Sequence, residues 1–299
     1  MDKTQKTVTV SASPFGIKDK VGYMFGDIGN NFSFNVVNSF LMIFYTNVLG
    51  LTGAQVGVLF LAARFIDAFA DITVGRLVDN SKLHKNGRFQ PWMNRMRYPL
   101  VIFFILTFVP IVKDWAMPIR LVYVFITYLG WGIFYSSVNI PYGSMASAIS
   151  SEPDHKTSLS TFRAVGSALG SAITSYILPM FIYIGASQKI SGSRFFWVIV
   201  VCGILAYVCY AITTGLTTER VRTEKSEKVP MGRLFKGLFE NKALMVLVLV
   251  DIMIVINQNL SGTMITYLFN DYFQNKTAMS IALIFNFATV ILLAPFSTW

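Results

Sequence analysis

Residues 194–217 read RFFWVIVVCGILAYVCYAITTGLT, and no charged residue follows Arg194 in this stretch. A helix needs about 20 mostly apolar residues to cross the hydrocarbon core of a bilayer, so this stretch is long enough to span a membrane. The sequence therefore predicts an all-α membrane protein with several spans. The other predicted spans cover residues 21–49, 54–78, 98–113, 118–149, 164–186, 243–270 and 278–299.

The overall composition excludes two broad classes of protein. Of the 299 residues, 54% are hydrophobic and 13% are charged, whereas about 25% are charged in an average soluble protein. This excludes a soluble enzyme. The net charge of +10 lies in short polar segments between the apolar stretches and not on one basic face, which excludes a nucleic-acid-binding protein.

The Lys and Arg residues are distributed unevenly between the two sides of the predicted membrane. With the N-terminus inside, nineteen of them are cytoplasmic, five are external, and Arg64 lies within a span. Cytoplasmic loops of membrane proteins carry such an excess of positive charge. We therefore expect a multi-pass protein of the cell (inner) membrane with a cytoplasmic N-terminus.

The longest polar interruption divides the chain into parts. We expect a six-helix N-terminal bundle at 1–217, a cytoplasmic linker at 218–242, and the first two helices of an incomplete second bundle at 243–299. Six spans followed by two are an uneven plan, so the simplest expectation is the first two thirds of a longer transporter. A short amphipathic helix in the linker is predicted from apolar residues at helical spacing, namely Met231, Leu234, Phe235 and Leu238.

Three charged residues share one face of the second span. On an ideal helix Arg64, Asp67 and Asp71 fall within about 60°, and charged groups inside a membrane indicate function by default. Arg64 neutralises one carboxylate, which leaves a negative charge for a proton or a hard cation. Two other interpretations are open: a structural network between helices, and an Asp-rich enzyme of the prenyltransferase type, for which Asp251 provides no second cluster.

The first span carries a polar stripe. Carboxamides donate and accept hydrogen bonds, so they suit the hydroxyl groups of a sugar. Hydrogen bonding between helices is the alternative interpretation. Both interpretations are open for Asp27 and Asn38, whereas a ligand role is favoured for Asn31. The stripe falls within about 80° on an ideal helix and contains Tyr23, Asp27, Asn31 and Asn38, extended by Asn35.

The fourth span carries an aromatic stripe that also suits a sugar. Pro141 lies within it and frees a backbone carbonyl, which should kink the helix and is tolerated beside a cavity. Packing between helices is the alternative to a sugar site. Arg163, at the start of the fifth span, is either a cytoplasmic anchor or a residue that reaches the cavity. The stripe consists of Tyr128, Trp131, Tyr135, Asn139 and Tyr142.

Four segments carry a resemblance to a known family: GYMFGDIGNNF, ARFIDAFADITVGRLVDN, NGRFQPW and YSSVNIPYGSMASAIS. Over nearly the whole chain, the sequence resembles the glycoside–pentoside–hexuronide:cation symporters of the major facilitator superfamily. The glucuronide carrier is the most similar type, and pentoside carriers come next. The resemblance implies secondary active symport of a glycoside by alternating access, and no enzyme activity.

The resemblance also assigns residues. It implies that Asp67 and Asp71 bind the coupling cation together with Ser136, with Arg64 as their charge partner. It implies that the substrate is bound by Asn31, Tyr135, Asn139 and Arg163, and the stripe of the first span adds Asp27 and Tyr23 to this candidate set.

The chain departs from the melibiose-type members of that family. They carry Asp in place of Asn31 and Asn139. This chain therefore has fewer negative charges to balance Arg163, which suits a neutral or anionic glycoside such as a glucuronide. They carry Asn in place of Ala70, whose methyl group cannot coordinate sodium, so a proton is the expected coupling ion and sodium the alternative. Gln90 stands where the family usually has Arg.

The expected partners follow from this interpretation. They are a small glycoside and the lipid bilayer, with no nucleic acid, no cofactor and no metal other than sodium at Asp67 and Asp71 as the alternative ion. A passive channel is the second class of function, but paired carboxylates beside an Arg fit coupled transport better. A fragment that does not transport by itself is a further alternative.

Overall fold

A computed structural model describes residues 7–9, 13–184, 189–223, 240–268 and 273 of the chain. In these residues nearly all the secondary structure is helical, which confirms the predicted all-α class. The first span is one run of helix, formed by α1 (Ile17–Asn30), a first π-helical turn (Asn31–Asn35) and α2 (Val36–Asn47).

The remaining helices follow the predicted spans in chain order. The second to fourth spans contain α3 (Gly53–Asp79), α4 (Phe89–Leu106), a 3₁₀ turn (Pro110–Asp114) and α5 (Met117–Ile149). The fifth to seventh spans contain α6 (Pro153–Ala172), a second π-helical turn (Ile173–Ile177), α7 (Leu178–Ile182), α8 (Gly192–Leu216) and α9 (Lys242–Tyr267).

Two short antiparallel strand pairs were not predicted. Strand β1 (Thr7–Thr9) pairs with β4 (Val221–Thr223), and β2 (Tyr183–Ile184) pairs with β3 (Lys189–Ile190). They are too short to alter the fold class.

The described residues divide between two compact units. Residues up to 223 belong to the first unit, and α9 belongs to the second. The predicted domain boundaries at 217 and 242 stay predictions. The predicted amphipathic helix in the linker and the eighth span at 278–299 lie outside the described residues.

Three of the described helical runs are long and apolar enough to cross a membrane, judged by length and composition alone. They are Met117–Ile149, Pro153–Ile182 and Gly192–Leu216. The predicted starts of the third and fifth spans were wrong, because α4 begins at Phe89 and α6 at Pro153. A hydropathy pattern marks the apolar part of a helix, whereas backbone hydrogen bonds continue through its polar turns.

The first unit packs its helices around buried aromatic rings. Helix α1 lies against α6 and α8, α4 against α5 and α8, and α3 against α5. The rings of Phe44, Phe108 and Phe195 meet with centroids 5.1–5.5 Å apart. Lipid tails are as apolar as these side chains, so close packing and hydrogen bonds between helices hold such a bundle together.

The segment after α8 forms hydrogen bonds with residues at the beginnings of α1 and α4. Arg220 donates to both carboxylate oxygens of Asp19, at 3.0 and 2.9 Å, and this pair is largely buried. Gln90 donates through Nε2 to the backbone carbonyl of Thr217. The carboxylate of Glu219 accepts the backbone N–H of Gln90 at 2.7 Å. The beginnings of α1 and α4 therefore lie at the same end of the bundle as the end of α8.

Helix α5 runs without interruption through Pro141. Proline has no N–H, so the carbonyl of Ser137, one turn earlier, loses its helical partner. The indole Nε1 of Trp92 on α4 donates to that carbonyl at 3.0 Å. The freed carbonyl is thus satisfied by a neighbouring helix.

Candidate functional site

An ion pair joins the first and fifth spans. The Nε of Arg163 on α6 donates to Oδ1 of Asp27 on α1 at 3.1 Å, and the two side chains are 43% and 10% exposed. The guanidinium carbon lies 5.3 Å from the ring centre of Tyr142 on α5. Arg163 therefore reaches into the bundle. Asp27 engages Nε and not the two Nη groups of Arg163.

Two stacked tyrosines cover one side of this pair. The rings of Tyr23 and Tyr142 stack with centroids 4.6 Å apart, and the Tyr142 hydroxyl donates to the Tyr23 carbonyl at 2.7 Å. Gly26 lets the Tyr142 ring lie directly against α1, because a Cβ at that position would overlap the ring. Tyr23, a candidate substrate residue, is only 1% exposed, so its ring is covered in this conformation.

An amide missed by the sequence patterns binds the candidate residue Asn139, and a hydroxyl that was also missed binds this amide. Asn30 on α1 donates through Nδ2 to Oδ1 of Asn139 on α5 at 3.2 Å, and the hydroxyl of Tyr210 on α8 donates to Asn30 Oδ1 at 2.9 Å. Asn30 was passed over because it lies about 100° away from its neighbour Asn31 on the helix. Tyr210 lies in an apolar stretch that gave no signal.

Asn31 is held by hydrogen bonds on both ends of its amide. Its Nδ2 donates to the Asp27 carbonyl at 2.9 Å, and the hydroxyl of Ser171 on α6 donates to its Oδ1 at 2.7 Å. In this conformation both ends of the Asn31 amide thus bond to protein atoms. This agrees with the alternative interpretation of the polar stripe, in which its amides form hydrogen bonds between helices.

The first π-helical turn begins at Asn31 and alters the predicted stripe. A π-helical turn contains more residues than an α-helical turn, so later side chains are rotated away from their expected face. Asn38 is accordingly exposed and lies outside the polar cluster. Asn35 donates through Nδ2 to the Thr174 hydroxyl at 2.6 Å, which joins the two π-helical turns.

The aromatic stripe of α5 packs against the first span. Tyr135 stacks on Phe34 and on Trp131, with centroids 5.0 and 5.6 Å apart, and Trp131 donates through Nε1 to the Ser33 hydroxyl at 2.9 Å. Trp131 is 3% exposed and serves packing, whereas Tyr135 is half-buried at the edge of the ring cluster.

The candidate cation site lies where α3 meets α5. The Oδ1 atom of Asp67 is buried without a hydrogen-bond partner. It lies against Gly132, where a Cβ would be 2.7 Å away. Within the described part of the chain, Asp67 and Asp71 form no salt bridge with Arg64, and Ser136 makes no hydrogen bond to either carboxylate. Arg64 and Asp71 are exposed, so the three charged residues of this face have different surroundings.

The surroundings of the Asp67 carboxylate indicate what this site can bind. A buried carboxylate oxygen without a donor is costly, and a proton or a hard cation satisfies it. None of the described salt bridges joins Arg64 to Asp67 or Asp71, and the alternative of a structural network between helices stays open. The site therefore has the chemistry for a cation, while the Asp27–Arg163 pair and its neighbouring amides have the chemistry for a polar ligand.

Long apolar helices with carboxylates and an amide cluster between them are features of a multi-pass carrier. The chain belongs to the MFS/sugar transport protein family, whose model matches residues 22–299. This is a family of transporters and not of enzymes, so the Asp-rich prenyltransferase alternative is dropped.

Several curated relatives are similar over long stretches. The isoprimeverose transporter of Lactiplantibacillus pentosus is 30% identical over 94% of this chain and 58% of its own length. The glucuronide carrier protein homolog of Escherichia coli (strain K12) is 36% identical over 67% of this chain and 43% of its own length. An uncharacterized symporter of Bacillus subtilis (strain 168) is 31% identical over 88% of this chain and 57% of its own length. The chain spans about half the length of the curated relatives it matches.

Proposed function

We propose that this chain takes part in secondary active symport, in which uptake of a glycoside is coupled to cation influx by alternating access. The activity is proposed for a carrier of the full length of its relatives. One observation carries the proposal: Oδ1 of the half-buried Asp67 has no hydrogen-bond partner and lies against Gly132, and Asn139 lies on the same helix. Seven residues, or about 10 Å, separate the two positions along α5.

A shared helix supports coupling between the two sites. If α5 shifts when the charge on Asp67 is neutralised, Asn139 and Tyr135 shift with it, because they belong to the same rigid element. Cation and sugar then favour the same conformation, and each raises the affinity for the other.

The proposed substrate is a neutral or anionic glycoside, with a glucuronide as the first choice. Asn31 and Asn139 are uncharged amides, so Asp27 is the carboxylate that opposes Arg163, and it contacts Nε alone. A sugar carboxylate can then bind the Nη groups through charge-assisted hydrogen bonds. A relative named as a glucuronide carrier homolog and another named as an isoprimeverose transporter agree with a glycoside.

The proposed coupling ion is a proton, with sodium as the alternative. The Asp67 oxygen accepts no hydrogen bond, so a proton alone satisfies it, whereas sodium needs several oxygen ligands. Ala70, three residues later on α3, supplies a methyl group where an amide oxygen would assist sodium. We also propose an inner-membrane location with a cytoplasmic N-terminus, on the basis of the Lys and Arg distribution.

Uptake by the full-length carrier in membrane vesicles tests the proposal. A small panel of labelled glycosides is offered under an imposed proton gradient or an imposed sodium gradient. We expect gradient-driven accumulation, which Asp67→Asn abolishes while sugar exchange continues. Asp154→Asn, an exposed carboxylate in the first turn of α6, is the matched control and should accumulate normally. Uptake that only equilibrates in the wild type would indicate a passive channel instead.

A further inference from the structure

A cation and two tyrosine rings form a cluster on the outer surface of the first unit. The guanidinium carbon of Arg97 on α4 lies 4.6 Å from the ring centre of Tyr207 on α8 and 5.4 Å from that of Tyr98. The Tyr207 hydroxyl donates to the Tyr98 hydroxyl at 3.1 Å. This cluster, Arg97–Tyr98–Tyr207, is separate from both candidate sites of the carrier.

The cluster lies on an apolar surface without a balancing negative charge. Tyr98 is 52% exposed, and its neighbours on α4 and α8 include exposed Ile102 and Ile204. Among the described salt bridges none involves Arg97, and its Nε is buried without a hydrogen-bond partner. An unpaired cation on a lipid-facing helix is costly, so such groups lean toward the polar headgroups of the bilayer.

The depth of the cluster brings the headgroups within reach. Arg97 lies about 12 Å from the start of α4, and Tyr207 about 13 Å from the end of α8, and these two ends lie together. Side chains on a helix lean toward its N-terminus, so the Arg97 side chain leans toward this end. Tyrosines with an apolar ring and a polar hydroxyl are typical of the same depth in a bilayer.

We propose that Arg97, Tyr98 and Tyr207 bind the phosphate group of an anionic phospholipid. The guanidinium presents a fork of N–H donors to phosphate oxygens, and the Tyr98 hydroxyl, which accepts from Tyr207, adds one neutral donor. The tyrosine rings lie against the face of the guanidinium. Arg97 also hydrogen-bonds to the two tyrosine hydroxyls, and its remaining N–H donors are left for the phosphate. With the cytoplasmic N-terminus proposed above, the lipid belongs to the inner leaflet, whose surface is negatively charged.

Photocrosslinking in vesicles tests this site without any transport measurement. The full-length carrier is reconstituted into phosphatidylcholine vesicles that contain a trace of phosphatidylglycerol with a photoreactive group near its headgroup. Labelled peptides from α4 and α8 are quantified by mass spectrometry. We expect Arg97→Gln to lower the labelling by about fivefold, because one cation near the surface contributes that much to anionic lipid binding.

The controls separate this site from general attraction of lipid to a basic protein. Arg95→Gln removes an exposed cation two residues away and should label like the wild type. Arg97→Lys keeps the charge without the planar fork and should give intermediate labelling. Circular dichroism verifies that each variant is folded. Equal labelling of Arg97→Gln and the wild type would overturn the proposal, as would loss of wild-type labelling on addition of inorganic phosphate, which would indicate a site for free phosphate.

Discussion

Arg163 and Asp27 set the charge at the candidate substrate site. Their contact is made through Nε, so Asp27 does not occupy the outer N–H groups of the guanidinium. The face of the Tyr142 ring supports the same guanidinium from the side. Binding of an anionic sugar should therefore depend on Arg163 more than binding of a neutral sugar does.

Substitution of Arg163 tests this dependence. We expect Arg163→Gln in the full-length carrier to reduce the preference for a glucuronide over the matching neutral glucoside by at least about tenfold, because a charge-assisted hydrogen bond contributes about 1.5–3 kcal/mol. The ratio of the two dissociation constants is the measurement. Arg194→Gln, at the start of α8, removes an exposed cation and should leave the ratio unchanged. An unchanged ratio in Arg163→Gln would show that the guanidinium does not contact the sugar carboxylate.

The residues of the polar clusters were predicted unevenly from the sequence. Charged and amide residues inside apolar stretches are rare enough to identify, so Asp27, Asn139 and Asp67 were predicted. Tyr210 was missed because an aromatic hydroxyl in an apolar helix has no distinguishing pattern, although it donates to Asn30. The position of Asn38 was wrong because a π-helical turn changes the spacing, and composition does not reveal such a turn.

At the level of elements, the Trp92–Ser137 hydrogen bond links α4 to α5 where Pro141 has removed the helical donor. Ser137 is 4% exposed, so water does not replace a lost partner there. A buried carbonyl left without a donor costs about 1–3 kcal/mol. This bond therefore supports the helix that carries residues of both candidate sites.

Trp92→Phe removes the donor and keeps an aromatic ring. We expect the free energy of unfolding in detergent to fall by about 1–3 kcal/mol. In a Pro141→Ala background the helix supplies its own N–H, so the cost of Trp92→Phe should shrink. Trp197→Phe on α8, where the side chain is 64% exposed, is the matched control and should have little effect. An equal cost in both backgrounds would show that packing, and not the hydrogen bond, makes Trp92 important.

The helices themselves were predicted well in number and order for the described residues, because apolar stretches long enough to span a bilayer are a strong signal. The polar ends of the helices were not predicted, since α4 begins nine residues before the predicted start of the third span. Arg95 and Arg97, counted in a loop, therefore lie in a helix. The hydrogen bonds of Gln90 and Glu219 that hold this helix start come from residues more than 120 positions apart along the chain, and such contacts leave no local sequence pattern.

At the level of the whole molecule, the proposed orientation in the membrane rests on the distribution of Lys and Arg residues. Single-cysteine labelling in intact cells with an impermeant thiol reagent measures it directly. We expect Lys85→Cys, between α3 and α4, to be protected, and Lys113→Cys, in the 3₁₀ turn after α4, to be labelled. Cys202 and Cys209 are buried, so they give little background. Labelling of position 85 from outside would reverse the proposed orientation.

We expect transport to need more than the helices of the first unit. In carriers that work by alternating access, one bundle rocks against another and the substrate binds between them. The chain spans about half the length of its relatives. Arg64 and Asp71 are exposed in the first unit, and an unpaired charge at the centre of a membrane helix costs about 2.5–3.5 kcal/mol on insertion scales.

We therefore expect residues 1–299, expressed alone, to accumulate no glycoside, either through poor expression or through non-productive association. Co-expression with a fragment that supplies the remaining length of the carrier should restore accumulation, because that fragment provides the opposite wall of the cleft. The measurement is uptake of a labelled glycoside in cells that contain either one or both fragments, with membrane levels of the chain determined in parallel. Accumulation by residues 1–299 alone would contradict the expectation and indicate that a second copy of the chain completes the cleft.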